Sequence, residues 1–273
     1  MALALKEPRL YLGVDTGGVE TFQFANGIAC VFTERAPGKE TDNEDAAGLI
    51  PCGDTAGVLV VADGLGGLPS GEVASATAVR QVSANVIANC SESPAFREAI
   101  LDAIEQANQI VMDHGSGCGT TLAAIEILNQ DIRPYHVGDS EILVTGQRGK
   151  IKHQSISHSP VGYAVEAGLI EVDDAMHDEE RHLVSNIIGT SDMRVEMGPR
   201  ITMAPLDTLL IASDGLFDNL LVDEIKDIIR AGPLPAAAEK LVQACRVRMA
   251  RFSETLPHKP DDLGFILFRR CKQ

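Results

Sequence analysis

Three aliphatic segments of strand length each run directly into an aspartate that lies next to a glycine. The aspartates are Asp63, Asp139 and Asp214, and the segments before them read VLVVA, YHVG and TLLIAS. A single Asp–Gly pair is commonly a tight turn, so one such strand end carries no chemistry by itself. Asparagine, serine or glycine would also serve in such turns, yet all three of these residues are acidic. The recurrence predicts a sheet protein whose strand ends bring several carboxylates to one edge.

Two further acidic groups lie beside predicted strands, at Asn43-Glu44-Asp45 and at Asp261-Asp262. If these strand ends converge, the carboxylates repel one another strongly in a partly dry site. They can share such a site only when they are protonated or bound to cations. Oxygen ligands without histidine or cysteine favour hard ions such as Mg²⁺ or Mn²⁺. Paired ions held by carboxylates are typical of phosphoryl chemistry.

The glycine-rich turn Asp63-Gly64-Leu65-Gly66-Gly67 has an alternative interpretation, as a loop that cradles a nucleotide phosphate. It has neither the G-x-G-x-x-G spacing nor a G-K-[ST] ending, so the support for that interpretation is weak. We instead predict that its glycines let the backbone approach a metal and let the next helix begin promptly.

The order of predicted elements is strands, two helices, strands, two helices and a last strand. A doubly wound parallel sheet has a steadier alternation of strand and helix. The order therefore indicates an α+β fold with helices outside mostly antiparallel sheets, in a single domain over residues 1–273. Residues 157–199 are polar and mixed, and we predict that they leave this core. The periodicity predicts strands at 10–14, 27–33, 57–62, 120–128, 132–137, 142–145, 150–153, 208–212 and 263–268, and helices at 70–89, 94–112, 162–168, 222–230 and 234–252.

The charge balance of the chain excludes some partners. The 273 residues include 23 Lys and Arg against 39 Asp and Glu, a formal net charge of −16. Nonspecific binding to nucleic acid or to an anionic membrane requires a basic surface, so we predict neither partner. The acidity itself has two interpretations, solubility alone or carboxylates clustered to hold cations. No apolar run approaches the ~20 residues of a membrane span.

The cysteines predict the compartment. They are Cys30, Cys52, Cys90, Cys118, Cys245 and Cys271, with no C-x-x-C pair and no zinc-ligand spacing. A chain of this length buries a core that needs no disulfide framework. We therefore predict free cysteines and a cytoplasmic location. The N-terminus lacks the basic segment and long apolar run of a signal peptide.

Taken in order, these motifs resemble the metal-dependent protein phosphatases of type 2C, the PPM family, in their bacterial form. The resemblance covers residues 43–268. The matching segments are NED at 43–45, VADGLGG at 61–67, GEVAS at 71–75, GCGTT at 117–121, VGDS at 137–140, AGLI at 167–170, ASDGLFD at 212–218 and DDL at 261–263.

The resemblance implies a four-layer α-β-β-α sandwich, in which two antiparallel sheets form the core and helix pairs cover them. It implies hydrolysis of phosphoserine and phosphothreonine in proteins by a water that bridges two cations, without a phosphoenzyme. The matching positions make Asp45, Asp63, Asp214 and Asp261 the catalytic ligands of two Mn²⁺ or Mg²⁺ ions. Phosphorylated proteins are then the expected partners of a monomeric enzyme.

Further roles follow from the same resemblance. The Gly64 carbonyl matches another metal ligand, and Glu44 matches a residue that acts through water. Asp139 and Asp218 match positions that hold a third, weaker cation in bacterial members. Residues 157–190 match the variable flap beside the active site.

Two positions depart from the family pattern. Leu65 stands where many eukaryotic members have a histidine proposed as general acid; His153 and His158 are candidate substitutes, with packing as the plainer interpretation. The usual phosphate-binding arginine, four residues before the Glu of the acidic pair, is also missing.

Glu40 occupies the position of that arginine. Arg35 and Lys39 are nearby candidates to bind phosphate in its place. We favour Arg35 because its guanidinium can bind an oxyanion through two parallel hydrogen bonds. A solvated loop charge is the alternative interpretation.

Two other functions compete with an active protein phosphatase. A catalytically weak relative could bind partner proteins as a regulatory module; the displaced arginine favours this slightly, and the intact carboxylate set argues against it. A small-molecule phosphatase or nuclease could use the same two metals, although the acidic composition argues against a nuclease.

Overall fold

The structure, a computed structural model, describes residues 3–65, 70–91, 94–115, 117–171, 175, 178, 180, 183–251, 253 and 256–271. The strands are β1 (Leu3–Ala4), β2 (Arg9–Leu12), β3 (Glu20–Phe24), β4 (Gly27–Glu34), β5 (Asp45–Cys52), β6 (Ala56–Asp63), β7 (Leu122–Leu128), β8 (Asp131–Val137), β9 (Glu141–Thr145), β10 (Ile151–Gln154), β11 (Glu196–Met197), β12 (Ile201–Thr202), β13 (Thr208–Ala212) and β14 (Leu263–Arg270). The helices are α1 (Gly71–Ala88), α2 (Phe96–His114), α3 (Pro160–Glu166), α4 (Asp214–Phe217), α5 (Val222–Ile229) and α6 (Leu234–Met249).

Within the described ranges the strands form two sheets. One has the order β1-β3-β4-β14-β13-β9-β10, and the other has the order β11-β8-β7-β6-β5-β2, with β12 also paired to β8. The pairings are antiparallel except that of β1 with β3. Short connections explain this preference, because only antiparallel neighbours can be joined by a two-residue hairpin. The β7–β8 loop is such a hairpin, and its Asn129 has a φ of 59°, a left-handed value that asparagine tolerates.

Strand β6 shows why the sheets stack as layers. Successive side chains of a strand point to opposite faces. Val58 and Val60 pack under α1 and α2, whereas Leu59 and Val61 pack between the two sheets. Because both faces of β6 are buried, its sequence is a continuous apolar run instead of an alternating one.

Each sheet carries a helix pair on its outer face. The α1–α2 pair packs on the sheet that contains β6, through residues such as Val82 and Ile104. The α5–α6 pair packs on the sheet that contains β14, through residues such as Ile225 and Leu241. The predicted α+β fold and four-layer sandwich are therefore confirmed.

The predicted long helices and buried strands are confirmed, with ends that differ by a few residues. The predicted end of α6 at residue 252 lies outside the described residues, as do Gly66 and Gly67 of the glycine-rich turn. Strand β5 was not predicted, because its sequence DAAGLIPC contains a glycine and a proline, which usually mark turns. Gly48 is needed there, since a Cβ would lie 3.0 Å from a Val60 methyl group and 3.1 Å from both Leu10 and Val79.

The prediction that every cysteine is free is wrong. Cys52 at the end of β5 and Cys90, two residues after the end of α1, form a disulfide with 5.5 Å between their Cα atoms. Their separation of 38 residues in the sequence conceals this contact, which exists only because α1 packs back along β5. Cys30, Cys118 and Cys245 are buried and are not part of a disulfide, as predicted for small apolar side chains.

Candidate metal centre

Two acidic residues face each other across the β5–β6 hairpin. Asp45, the first residue of β5, is paired with Asp63, the last residue of β6. The ladder continues beyond both, since the Gly64 amide donates to the Glu44 carbonyl at 3.0 Å. The antiparallel register therefore brings Glu44, Asp45, Asp63 and Gly64 to one edge of their sheet.

The other sheet contributes Asp214 and Asp261 to the same edge. Asp214 opens α4 directly after β13, and Asp261 lies two residues before β14, the antiparallel neighbour of β13. Gly215 lets α4 approach this neighbour closely, because a Cβ at this position would lie 1.8 Å from the Asp262 carbonyl oxygen.

Ser213 joins the two sheets at this edge. Its hydroxyl donates to Asp45 Oδ2 at 2.6 Å, and it accepts from the Gly264 amide at 3.0 Å. Ser213 and Asp45 are both buried. The hydrogen bond from Ser213 to Asp45 therefore joins the two sheets and aligns their carboxylates.

These groups line a cavity of about 270 Å³ between the sheet edges. Its walls are formed by Glu44, Asp63, Gly64, Leu65, Asp139, Val184, Asp214, Lys259, Asp261 and Asp262. Convergence of the predicted strand ends is thus observed, and the loop after β8 adds Asp139. Asp45 lies behind this wall, where it is 1% exposed.

Burial and mutual repulsion make it difficult to ionise these carboxyl groups together. Burial raises the pKa values of Asp45, Asp63 and Asp139 well above the usual range of aspartate, and neighbouring aspartates raise these pKa values further. The same causes raise the pKa of Asp214 to about 6, against the nearby Lys259, which lowers it. A bound cation would remove this penalty, because it favours the ionised carboxylates.

The residues present fit hard divalent cations. Asp45 Oδ1 is buried and has no hydrogen-bond partner among the described residues, so a strong acceptor is left for another ligand. Gly64 contributes a backbone carbonyl where no side chain would fit, because its Cβ would lie 2.2 Å from the Gly71 carbonyl oxygen. The available donors of the cavity wall are oxygen atoms, which are the ligands that Mg²⁺ and Mn²⁺ prefer.

Lys259 was not identified from the sequence, yet it lies among the carboxylates. Its ammonium is 2.5 Å from Asp214 Oδ2, 2.8 Å from Asp261 Oδ2 and 3.2 Å from Asp218 Oδ2. Burial lowers the pKa of Lys259, but these three carboxylates raise it above its usual value. The only sequence signal was a lysine two residues before the Asp261-Asp262 pair.

Lys39 contacts two carboxylates of the cavity wall. Its ammonium is 2.5 Å from Glu44 Oε2 and 2.7 Å from Asp262 Oδ2. Asp262 also accepts from the backbone amides of Ala36 and Glu44, at 2.7 and 2.6 Å. Asp262 therefore holds the loop that precedes β5, whereas Asp261 faces Lys259.

Arg35 is placed differently from Lys39. Its guanidinium pairs with Asp15 at 2.9 Å and donates to the Thr41 carbonyl at 3.3 Å. Neither Arg35 nor Lys39 forms part of the cavity wall, but both carboxylate partners of Lys39, Glu44 and Asp262, do. The preference for Arg35 over Lys39 as the phosphate ligand is therefore not supported by this placement.

His158 connects the Asp139 loop to the predicted flap. Its Nδ1 accepts from the Gly138 amide at 3.0 Å and from Asn186 Nδ2 at 2.8 Å. The His158 backbone amide donates back to the Gly138 carbonyl, and the Ser185 amide donates to the His158 carbonyl. Gly138 has a φ of 97°, which glycine tolerates best. His158 thus acts in packing and hydrogen bonding, and it does not line the cavity.

His136, His158 and Glu196 place nitrogen and oxygen atoms within 4.8 Å of one another, as a metal site would. The hydrogen bonds oppose this use. Because His158 Nδ1 accepts two N–H groups, the proton is on Nε2, which donates to Glu196 at 3.2 Å. Ligation through Nε2 would force a proton onto Nδ1, against both donors. Burial and the neighbouring His158 lower the pKa of His136 to about 4.

The known proteins that this chain is similar to are protein phosphatases. A family model described as Protein phosphatase 2C matches residues 37–249. Protein phosphatase PhpP of Streptococcus pneumoniae serotype 2 is 30% identical over 214 residues, which cover 75% of this chain and 86% of the relative. A putative protein phosphatase 2C-type of Streptococcus pyogenes serotype M6 is 29% identical over 198 residues, covering 70% and 80% respectively.

Solved structures show the same architecture. The PPM Ser-Thr phosphatase MsPP from Mycobacterium smegmatis superposes with a TM-score of 0.72 at 26% identity, covering 88% of this chain and 97% of that one. A structure described as a bacterial serine phosphatase has a TM-score of 0.75 at 26% identity, covering 90% and 98%. On the family match and the shared fold together, this chain belongs to the protein phosphatase 2C family.

Proposed function

We propose that this protein hydrolyses phosphoserine and phosphothreonine in phosphorylated proteins, with two Mn²⁺ or Mg²⁺ ions held at the edge of the two sheets. The observation that carries the proposal is the convergence of Asp45, Asp63, Asp214 and Asp261 from both sheets around one cavity. The bacterial relatives are described as protein phosphatases, and several of them as serine/threonine phosphatases, which supports the same substrate class for this chain.

The ligand roles follow the positions of the donors. Asp45, Asp63, Asp214 and Asp261 would bind the ions directly together with the Gly64 carbonyl, and Glu44 would act through water. When bound, such ions would supply a water that ionises near neutral pH and positive charge beside the phosphoryl oxygens. No side chain is needed as a nucleophile, so the chain forms no phosphoenzyme. Its own contribution is to bind and orient, through the Ser213 contact to Asp45 and the Asp262 contacts to the preceding loop.

Phosphate binding is assigned to Lys39 before Arg35. Lys39 already lies against Glu44 and Asp262, beside the cavity wall. Arg35 would first have to leave Asp15. A substrate phosphate near Glu44 would gain the Lys39 ammonium as a compensating charge.

Domain organisation, oligomeric state and cellular location complete the proposal. We assign the whole chain to one catalytic domain that acts as a monomer in the cytoplasm, with residues 157–190 as the flap beside the cavity. Val184 on the cavity wall supports the position of the flap. Cytoplasmic proteins rarely keep a disulfide such as Cys52–Cys90, so counting free thiols in protein from intact cells tests the location: six would support the cytoplasm and four would contradict it. Among the described residues, no helix combines the length and apolar character needed to cross a membrane.

Hydrolysis of a phosphothreonine peptide tests the function. We expect activity with Mn²⁺, none with EDTA, and a loss of roughly 10²-fold or more in Asp214→Asn because a metal ligand is removed. Asp54→Asn, an exposed change in the β5–β6 turn at the other end of the hairpin, is the matched control. Peptide binding that Asp214→Asn leaves intact, without turnover by either protein, would identify a regulatory module instead. Faster turnover of nucleotides than of phosphopeptides would identify a small-molecule phosphatase.

A further inference from the structure

The Lys259 ammonium is saturated by acidic partners. It has three N–H donors, and it contacts three carboxylates, those of Asp214, Asp218 and Asp261, at 2.5, 3.2 and 2.8 Å. Each contact uses Oδ2 of the aspartate. In Asp214 and Asp261, the two proposed metal ligands among the three, Oδ1 is outside these contacts, although Asp261 Oδ1 also accepts from the Asp262 amide at 2.9 Å. A carboxylate oxygen can accept more than one partner, so both residues can bind a divalent ion while the lysine contact persists.

The backbone of Lys259 is held in place independently of its side chain. The buried Asn219 accepts from the Lys259 amide at 3.0 Å and donates to the Lys259 carbonyl at 2.7 Å. The Asn219 side-chain amide also donates to the Gly215 carbonyl at 2.9 Å, and Gly215 lies in α4, the helix that Asp214 begins. Asn219 is 0% exposed, so this connection is shielded from water. The distance between the Lys259 backbone and the Asp214 helix is thus set by a side chain outside the cavity.

The position of this ammonium bears on the number of metal ions. Asp218 is in contact with Lys259. The family resemblance matches Asp218, together with Asp139, to a third cation site. Burial raises the pKa of Asp139, and so do Asp214 and Asp218, which places all three carboxylates in one electrostatic neighbourhood. A third divalent ion would have to share this neighbourhood with a tethered positive charge.

We propose that the Lys259 ammonium is a permanent cation of the centre, and that it takes the place of a third divalent ion. The protein then binds two divalent ions, and Lys259 neutralises Asp218 together with the outer oxygens of Asp214 and Asp261. This inference rests on the two-cation function proposed above. It assigns to one side chain the role that a weakly bound, exchangeable ion would otherwise have.

Counting bound Mn²⁺ tests this role without measuring activity. Equilibrium dialysis with metal analysis gives the number of ions per chain and their dissociation constants. We expect two ions in the unchanged protein, three in Lys259→Met with the third the weakest, and two in Lys259→Met combined with Asp218→Asn. Lys150→Met, an exposed lysine before β10, is the matched control and should bind two. Circular dichroism establishes that each variant is folded.

Other outcomes overturn the inference. Three ions in the unchanged protein, or two in Lys259→Met with unchanged affinity, would exclude Lys259 as a substitute for an ion. Two ions that bind Lys259→Met more tightly by about tenfold or more would show that the metals displace the lysine. Failure of the unchanged protein to bind any Mn²⁺ would instead refute the proposed function, which separates the two failures.

Discussion

Individual residues at the cavity carry charges that folding alone does not balance. Asp45 has an oxygen without a hydrogen-bond partner among the described residues, while its other oxygen accepts from Ser213. On the outer side, Lys39 and Lys259 neutralise carboxylates that face solvent more openly. The inner carboxylates therefore depend on bound cations alone, whereas those that contact a lysine are already partly neutralised by the chain.

The raised pKa of Asp214 has a consequence for stability without metal. In EDTA, the folded protein keeps a proton on Asp214 up to about pH 6, whereas the unfolded chain releases this proton near the ordinary aspartate pKa of 3.8. A carboxyl group with a raised pKa in the folded state destabilises that state as pH rises through this window. We expect the free energy of unfolding, relative to Asp214→Asn, to fall by on the order of 2 kcal/mol between about pH 4 and pH 8.

Urea unfolding of the two proteins at several pH values measures this difference. The subtraction removes the contribution of His136, whose lowered pKa acts in the opposite direction. A difference that stays constant with pH would contradict the prediction. Saturating Mn²⁺ should reverse the slope, because protonation then competes with metal binding.

At the scale of elements, close approaches between backbones position the site. Gly215 packs α4 against the segment before β14, and Gly64 packs the end of β6 against the start of α1. The carboxylates lie on rigid strand ends and helix starts, so their separation depends on these contacts. His158 performs the corresponding task for the Asp139 loop and the flap.

We expect Gly215→Ala to destabilise the protein, because its Cβ would lie 1.8 Å from the Asp262 carbonyl oxygen. The backbones must separate, and a loss of about 1–3 kcal/mol in the free energy of unfolding is typical of such overpacking. Gly18→Ala is the matched control, since no atom lies within 4 Å of its Cβ position. Chemical denaturation measures both, and equal stability of the two variants would show that α4 can shift freely.

We expect the hydrogen bonds accepted by His158 Nδ1 to contribute more to stability than the packing of its ring. His158→Phe leaves the Gly138 amide and Asn186 without their acceptor, and each buried unsatisfied group costs about 1–3 kcal/mol. Hydrogen exchange of the Gly138 amide should therefore accelerate. His153→Phe is the matched control, because His153 Nε2 has no hydrogen-bond partner among the described residues. Similar exchange rates in both variants would argue against the positioning role of His158.

At the scale of the whole molecule, the disulfide lies far from the candidate metal centre. Asp45 begins β5 beside the cavity, and Cys52 ends the same strand at the opposite edge of the sheet, seven residues later. At ~3.3 Å per residue, the disulfide is roughly 20 Å or more from the metal centre.

Reduction of the Cys52–Cys90 disulfide should lower stability but not turnover. The bond closes a loop with a separation of 38 residues, for which the chain-entropy estimate is roughly 3–4 kcal/mol. We expect Cys52→Ser with Cys90→Ser to lower the melting temperature, with kcat/KM within about twofold of the unchanged protein. Cys271→Ser, at the exposed free cysteine, is the control. A large loss of kcat/KM in the double variant would show that the far end of the hairpin controls the centre.

Sequence patterns predicted the long helices, the buried strands and most of the carboxylates at the cavity. These features are local, because periodicity and an acidic residue after an apolar run can be read from adjacent residues. Strand β5 was missed because its alanines, glycine and proline gain their strand conformation from neighbours on both sides. Lys259 and the Cys52–Cys90 pair were missed because each meets partners far away in the chain.

The sequence by itself determined the family, the sandwich architecture and the acidic residues that are candidates to hold cations. Only the tertiary structure decided which charges meet. It placed Lys259 on Asp214, Asp218 and Asp261, turned Arg35 toward Asp15, and left Asp45 with a free oxygen. The physical reason is that electrostatic and hydrogen-bond energies depend on distance and burial, and both are set by packing between residues remote in the sequence.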